Sequence, residues 1–172
     1  MEILHCKYED VVPMWQKPEM NMNRPVSTME YYEDQPNYNY TTTASGGNNL
    51  LIKDLAYSDP VYFHCILNDK SVGCISCHWS NRKYSQMRVR GIYVEPEARR
   101  QGIARKLLKR AIMHAASQDD SVCLWALAGP NSIPVHLQEG FRLVTRQYQG
   151  ALPDANWSEH LNAYMRLDVN PD

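Results

Sequence analysis

Apolar runs of strand length alternate along the chain with polar breaks marked by proline, glycine and asparagine. Residues 2–8 predict a first strand, and 9–16 a helical turn that ends around Pro13 and Pro18. Residues 61–67 and 72–79 are apolar runs joined by Asn68-Asp69-Lys70-Ser71, which predicts a hairpin. A third strand is expected over 86–94, so that the three form an antiparallel meander. From Arg100 the period changes. Ile103, Ala104, Leu107, Leu108, Ala111, Ile112 and Ala115 recur at helical spacing, with Arg105, Lys106, Lys109 and Arg110 on the other face. A long amphipathic helix over 100–117 follows. Residues 121–127 read as a buried strand, 131–139 as a short helix closed by Gly140, and 141–148 and 160–168 as two closing strands.

The stretch 18–49 breaks this pattern. It is rich in asparagine and proline, contains Gly46-Gly47, and carries Tyr31, Tyr32, Tyr38 and Tyr40. Ser27, followed by Glu30 three residues later, predicts a brief helix over 27–34, and 49–57 predicts another. The remainder is too long for a connector, and its aromatic content favours an ordered lid. At 172 residues, 44% hydrophobic and 22% charged, the chain is expected to form one globular domain over 1–172. No apolar run approaches the ~18 residues of a membrane span, so no membrane association is expected. The N-terminal residues lack the features of a secretory signal, and a cytoplasmic location is expected. The five cysteines lie mostly in apolar segments and predict buried, reduced thiols. Cys74 and Cys77, an odd offset apart on one strand, would point to opposite faces, and no metal site is expected.

Charge is unevenly placed. Residues 1–60 hold nine acids and four bases, whereas 82–110 hold ten bases against Glu95 and Glu97. A segment of net +8 in a chain of net −1 suggests an anionic ligand nearby. The start of the long helix offers a place for one. A strand ends, Pro96 turns the chain, and the helix opens with the small residues Gly102 and Ala104. The first amides of a helix have no partner within it, and the helix dipole favours an anion there. Small side chains let a bulky phosphate approach those amides. No Ser, Thr, Asp or Asn immediately precedes the helix to occupy them. Neither a G-x-x-x-x-G-K-[ST] loop nor a G-x-G-x-x-G turn after a strand is present, so neither an NTPase nor a Rossmann site is supported.

Val94-Glu95-Pro96, followed by Arg99-Arg100-Gln101-Gly102-Ile103-Ala104 and Arg105-Lys106-Leu107-Leu108, resembles motif A of the GNAT superfamily of acyl-CoA-dependent N-acetyltransferases. A strand at 122–127, a helix at 131–139 and Gly140-Phe141 resemble the family's second signature, and the order of elements over 61–168 fits the same fold. The resemblance implies an α/β (α+β) single domain, with a mixed, mostly antiparallel sheet of six to seven strands flanked by helices. It implies an acyl-CoA-binding core over 86–141 and acetyl-CoA as cosubstrate, with no metal. The diphosphate of coenzyme A would lie on the amides of 100–105, near Arg99, Arg100, Gln101, Gly102, Ile103, Ala104 and Arg105. The pantetheine arm would run along Ile92, Tyr93 and Val94, and Asn131 is a further cofactor-binding candidate. An N–H near Val94 would face the thioester carbonyl, and Gly91 is the candidate for the bulge that opens the sheet.

The implied reaction is acetyl transfer to a primary amine by direct attack in a ternary complex. Two proton-handling positions depart from the family pattern. His136 stands where many members have a tyrosine acid, and Arg88 where some have a glutamate base. Tyr148 and Tyr164 are spare phenols. His136 is the candidate acid and His78 the candidate base, Arg88 being unable to accept a proton. Arg88 and Arg90, two apart on a strand, share a face and would hold a carboxylate or phosphate if that face lines the acceptor cleft. Tyr31, Tyr32 and Trp15 would form an aromatic wall for the acceptor. A homodimer is a further expectation. The chief rival is a non-catalytic acyl-CoA-binding or regulatory domain. Nucleic-acid binding is disfavoured because aromatics are sparse among the 82–110 bases, Tyr84 and Tyr93 being the two present.

Overall fold

The computed structural model describes residues 1–20, 59–82, 84–118, 121–145 and 163–170. Seven strands form one sheet: β1 (Glu2–Cys6), β2 (Val61–Leu67), β3 (Lys70–Asn81), β4 (Gln86–Val94), β5 (Val122–Ala128), β6 (Arg142–Thr145) and β7 (Ala163–Val169). Their spatial order is β1-β2-β3-β4-β5-β7-β6. Every neighbouring pair is antiparallel except β4–β5, so the sheet is the mixed, mostly antiparallel one expected. The β2–β3 connection is tighter than the predicted four-residue turn. Asn68 and Asp69 both take positive φ (52° and 63°), the geometry of a two-residue hairpin, and Lys70 and Ser71 join the strand.

The helix α2 (Ile103–Ala116) covers one face of the sheet. Its apolar stripe, with Ile103, Leu107, Leu108, Ala111 and Ala115 all buried, packs against Phe63, Ile75, Cys77, Met87, Val89, Leu124 and Ala126. The short helix α3 (Ile133–Gln138) lies beside it. Glu139 ties the two together through Arg105 Nε at 2.7 Å. On the opposite face lies α1 (Tyr8–Trp15). This helix runs through Pro13 rather than stopping near it. Val11, Met14 and Trp15 are buried against Tyr62, Cys74 and Tyr93, which outweighs the single hydrogen bond that a proline forfeits.

Cys6, Cys65, Cys74 and Cys77 are buried, and Cys123 is half-buried. Cys74 faces α1 and Cys77 faces α2, on opposite sides as the odd spacing requires. Burial pushes the Cys77 thiol up to about 12, which holds it protonated and unreactive. Residues 18–20 form a 3₁₀ turn. The rest of the predicted lid, the expected helices at 27–34 and 49–57, and most of the loop after β6 lie outside the described residues. No described helix is long and apolar enough to cross a membrane.

Candidate active site

The parallel ladder between β4 and β5 has three rungs: Gln86↔Cys123, Met87↔Leu124 and Arg88↔Trp125. Past Arg88 the two strands pair no further, although both continue, β4 to Val94 and β5 to Ala128. The sheet therefore opens into a wedge lined by unpaired strand edges. On its other side β4 stays paired to β3, but with a change of phase. Arg90 faces Ser76 and Tyr93 faces Cys74, so three steps on β4 match two on β3. The extra residue is a bulge at Gly91 and Ile92, where the sequence suggested one.

The bulge re-aims the backbone. The Glu95 N–H donates to the Val72 carbonyl on β3 at 2.8 Å. By alternation, the Val94 N–H points away from β3, into the wedge. Gly91 makes this possible with φ +71° and with a contact that forbids any side chain. A Cβ there would sit 2.3 Å from the Trp15 ring, and the Trp15 indole N–H donates to the Gly91 carbonyl at 2.6 Å. Trp15 is fully buried, so it anchors the bulge instead of walling an acceptor pocket as expected.

The wedge leads to the tip of α2. That helix starts at Ile103, not at Arg100. Residues 99–102 form a turn in which Arg100 (φ 65°) and Gly102 (φ 77°) are left-handed, which a continuous helix cannot accommodate. Lys106 makes the first helical bond, to the Gly102 carbonyl at 3.1 Å, and no side chain among the described residues caps the tip. The amides of Ile103, Ala104 and Arg105 precede that bond. A Cβ on Gly102 would meet nothing within 4 Å, so there is room beside the residue that heads the helix. Such a tip suits an oxyanion, and the exposed Arg100 lies in the turn before it, whereas the Lys106 ammonium is turned to Met1 Sδ at 3.5 Å.

Two arginines expected to serve the anion are committed in part to the protein. Arg99 Nε donates to the Val94 carbonyl at 2.8 Å, and its guanidinium lies 5.6 Å from the centre of the Tyr93 ring. The Tyr93 hydroxyl donates to Glu95, whose carboxylate also pairs with Lys17 at 2.6 Å. Arg105 is held by Glu139. Gln101 is exposed in the turn, and Asn131 is exposed in the turn that follows β5, on the far side of the wedge. The pairings of Lys17 with Glu95 and of Arg105 with Glu139 went unnoticed in the sequence. No spacing links the partners, and only the fold brings Lys17 to the end of β4.

Neither candidate proton-transfer histidine lies on an open surface. His136 is 3% exposed, its Nδ1 stands 2.7 Å from the Ser132 carbonyl, and its ring meets Phe141 edge-on at 5.1 Å. Burial pulls its pKa down, so the ring is neutral near pH 7 and carries no imidazolium proton to give. His78 is fully buried in β3, opposite Arg88, with Nδ1 3.0 Å from the Trp79 carbonyl. Burial, joined by the charges of Arg88 and Arg90, holds it well below the usual imidazole range and makes it a poor base. Arg88 and Arg90 do share a face, the one opposite α2, because Met87 and Val89 take the α2 side. The Arg88 guanidinium lies 4.9 Å from the centre of the Trp125 ring. Tyr31, Tyr32 and Tyr148 lie outside the described residues, and Tyr164 is placed on β7.

A family model described as "Acetyltransferase (GNAT) family" matches residues 16–141. The chain belongs to the GNAT acetyltransferase family. Among solved structures, a GNAT superfamily phosphinothricin acetyltransferase from Sinorhizobium meliloti, in complex with AcCoA, is 19% identical with a TM-score of 0.64, over 98% of this chain and 88% of that one. A ribosomal-protein-alanine N-acetyltransferase from Brucella melitensis is 16% identical with a TM-score of 0.61, over 98% and 100%. An aminoglycoside 6'-N-acetyltransferase complexed with coenzyme A is 12% identical with a TM-score of 0.60, over 100% and 99%. At these identities the likeness is one of fold. A comparison with curated proteins returns no match. The GNAT match includes β2 to β5, the bulge, the wedge and the helix tip.

Proposed function

We propose that the chain is an N-acetyltransferase that moves the acetyl group of acetyl-CoA to a primary amine by direct attack in a ternary complex. The observation that carries this reading is the continuity of three features: a sheet open beyond Arg88, the Val94 amide aimed into the opening, and a helix tip without a side-chain cap among the described residues. An extended thiol-bearing arm pairs with such a strand edge through main-chain groups, while its diphosphate takes the amides of residues 103–105. The open space at Gly102 is what the diphosphate needs. Glycoside or metal-assisted chemistry draws no comparable support from this site.

In this reading the amine nitrogen attacks the thioester carbonyl, a C–N bond forms, the C–S bond breaks, and the sulfur leaves as thiolate. The Val94 amide stabilises the negative charge that builds on the carbonyl oxygen. Arg99, by fixing the Val94 carbonyl, fixes the plane of the next peptide and steadies the end of the strand. A thiol of pKa ~8.5 leaves without an acid, so His136 serves packing rather than proton transfer. The ammonium gives up one proton to solvent before the attack, and the nitrogen loses a second, to solvent or to the departing thiolate, as the amide forms.

The test measures acetyl-CoA consumption across a panel of amines, together with coenzyme A affinity by calorimetry. Saturable, amine-dependent release of free thiol supports the reading. Tight coenzyme A binding with no acceleration for any amine would instead favour a non-catalytic acyl-CoA-binding domain. The arginine at 88 and the buried ring at 136 are the observations on that side.

A further inference from the structure

Lys17 and Glu95 meet at the end of β4, beside the amide assigned to the thioester, yet neither takes a step in the reaction. Lys17 Nζ donates to both oxygens of the Glu95 carboxylate, at 2.7 and 2.6 Å. The Glu95 side chain is 12% exposed and that of Lys17 41%. A carboxylate largely withdrawn from water thus depends on a half-exposed ammonium. Such a pair adds little net stability, because taking the charges out of water costs about what their attraction returns. What it fixes is geometry.

Both partners stand on a restrained backbone. Each precedes a proline, which narrows its φ and ψ. The Lys17 N–H donates to the Met14 carbonyl at 3.3 Å, and the Lys17 carbonyl accepts the Met20 N–H at 3.0 Å. The Glu95 N–H is spent on Val72, and the Glu95 carbonyl accepts the Ala98 N–H at 2.9 Å. Met14 and Trp15 sink the end of α1 into the core just before Lys17. Trp15 and Lys17 therefore grip the strand at two points, the Gly91 carbonyl and the Glu95 carboxylate, and Val94 lies between them in the chain. The Tyr93 ring closes this frame. The Arg99 guanidinium and Lys17 Nζ lie 5.6 and 5.9 Å from its centre, and its hydroxyl donates to Glu95 at 3.4 Å.

Charge gives the contact a second effect. Glu95 directly follows Val94, so a carboxylate is tethered next to the amide that meets the thioester oxygen. Left uncompensated, it would repel the negative charge that builds on that oxygen. Lys17 cancels it. We propose that Lys17 and Glu95 are a positioning pair for acetyl transfer, which holds the end of β4 so that the Val94 N–H meets the thioester oxygen without a stray negative charge beside it. This rests on the acetyl-transfer reading and adds to it two residues that do not touch the reacting atoms.

The test compares Lys17→Met, Glu95→Gln and the double variant, each shown to be folded by circular dichroism and assayed well below its unfolding midpoint. A misplacement near 1 Å costs on the order of a hundredfold in rate. Lys17→Met is accordingly expected to lower kcat at least tenfold, with the KM for the amine within threefold. Glu95→Gln leaves no stray negative charge and is expected to lose less. Because the two residues act through one contact, the double variant is expected to be no worse than Lys17→Met. Calorimetry supplies a reading independent of turnover, with coenzyme A set against 3'-phospho-ADP, which ends at the diphosphate. Lys17→Met is expected to weaken coenzyme A at least threefold and the fragment less than twofold, since only the arm reaches Val94. A role in stability alone would move the urea midpoint and leave kcat and the ratio of the two affinities unchanged, and that result overturns the proposal. So do losses that multiply in the double variant, or a greater loss in Glu95→Gln than in Lys17→Met. If the wild type turns over no amine, the acetyl-transfer reading falls. The pair then stands as a device that places the arm if Lys17→Met lowers the affinity ratio, and falls if the ratio is unchanged or coenzyme A does not bind.

Discussion

Replacing Gly102 by glutamate separates the binding role of the helix tip from its structural one. Gly102 has φ 77°, where a side chain costs roughly 1–2 kcal/mol. A carboxylate beside a helix N-terminus returns about 0.3–1 kcal/mol through the dipole. No steric term adds to this, because an added Cβ meets nothing within 4 Å. The net loss of stability is therefore roughly 0–2 kcal/mol, which urea denaturation can measure. Binding changes far more. Two unit charges 4 Å apart repel by about 1 kcal/mol at the dielectric of water and about 4 kcal/mol at an effective value near 20. A diphosphate presents two such charges, so the loss is roughly 2–8 kcal/mol, at least about 30-fold in affinity. Calorimetry with coenzyme A at low salt reads it directly. Gly102→Ala is the control, since it carries the backbone strain without the charge. If the glutamate variant is folded and binds coenzyme A within threefold of wild type, the phosphate site has been misplaced.

Three further outcomes follow from the same geometry. Gly91→Ala adds left-handed strain of roughly 1–2 kcal/mol to overpacking of roughly 1–3 kcal/mol against Trp15, so destabilisation of roughly 2–5 kcal/mol is expected in urea, and a loss under 1 kcal/mol would refute the tight contact. His136→Phe removes the hydrogen bond to Ser132 and should cost about 0.5–1.5 kcal/mol while kcat stays within threefold; a hundredfold fall in kcat in a stable protein would make His136 the acid. His78, His114 and His136 all have folded pKa values below the ordinary 6.5. The unfolded chain therefore takes up protons first as pH falls. Stability is complete above about 6.5 and declines below it, by up to roughly 1.4 kcal/mol per pH unit for each histidine. Urea midpoints between pH 7.5 and 5.5 check this, and constant or rising stability on acidification would contradict it.

Much of the fold was legible because local rules agreed with tertiary packing. The bounds of β4 and the apolar stripe of α2 come directly from periodicity, and Gly91 was identifiable as a bulge glycine. The start of α2 was not. Arg100 and Gln101 have ordinary helix propensity, and only the left-handed angles at Arg100 and Gly102 show that a turn intervenes. Trp15 read as part of an aromatic wall for the acceptor because nothing in its neighbourhood predicts that a glycine 76 residues away has made room for its ring. The same limit applies to charge. Sequence placed Arg99 and Arg105 in a basic segment, but their contacts with the Val94 carbonyl and Glu139 depend on where the strand end and α3 lie. His136 was found by its spacing from Gly140, and that spacing carries no information about which way the ring turns.

The most direct test of the central claim is a crystal structure of the protein with coenzyme A. The account predicts the diphosphate oxygens within hydrogen-bond distance of the Ile103, Ala104 and Arg105 amides, and the pantetheine arm between β4 and β5 with a main-chain bond to Val94. A nucleotide bound elsewhere, or a wedge closed by the protein's own chain with the ligand present, would contradict it.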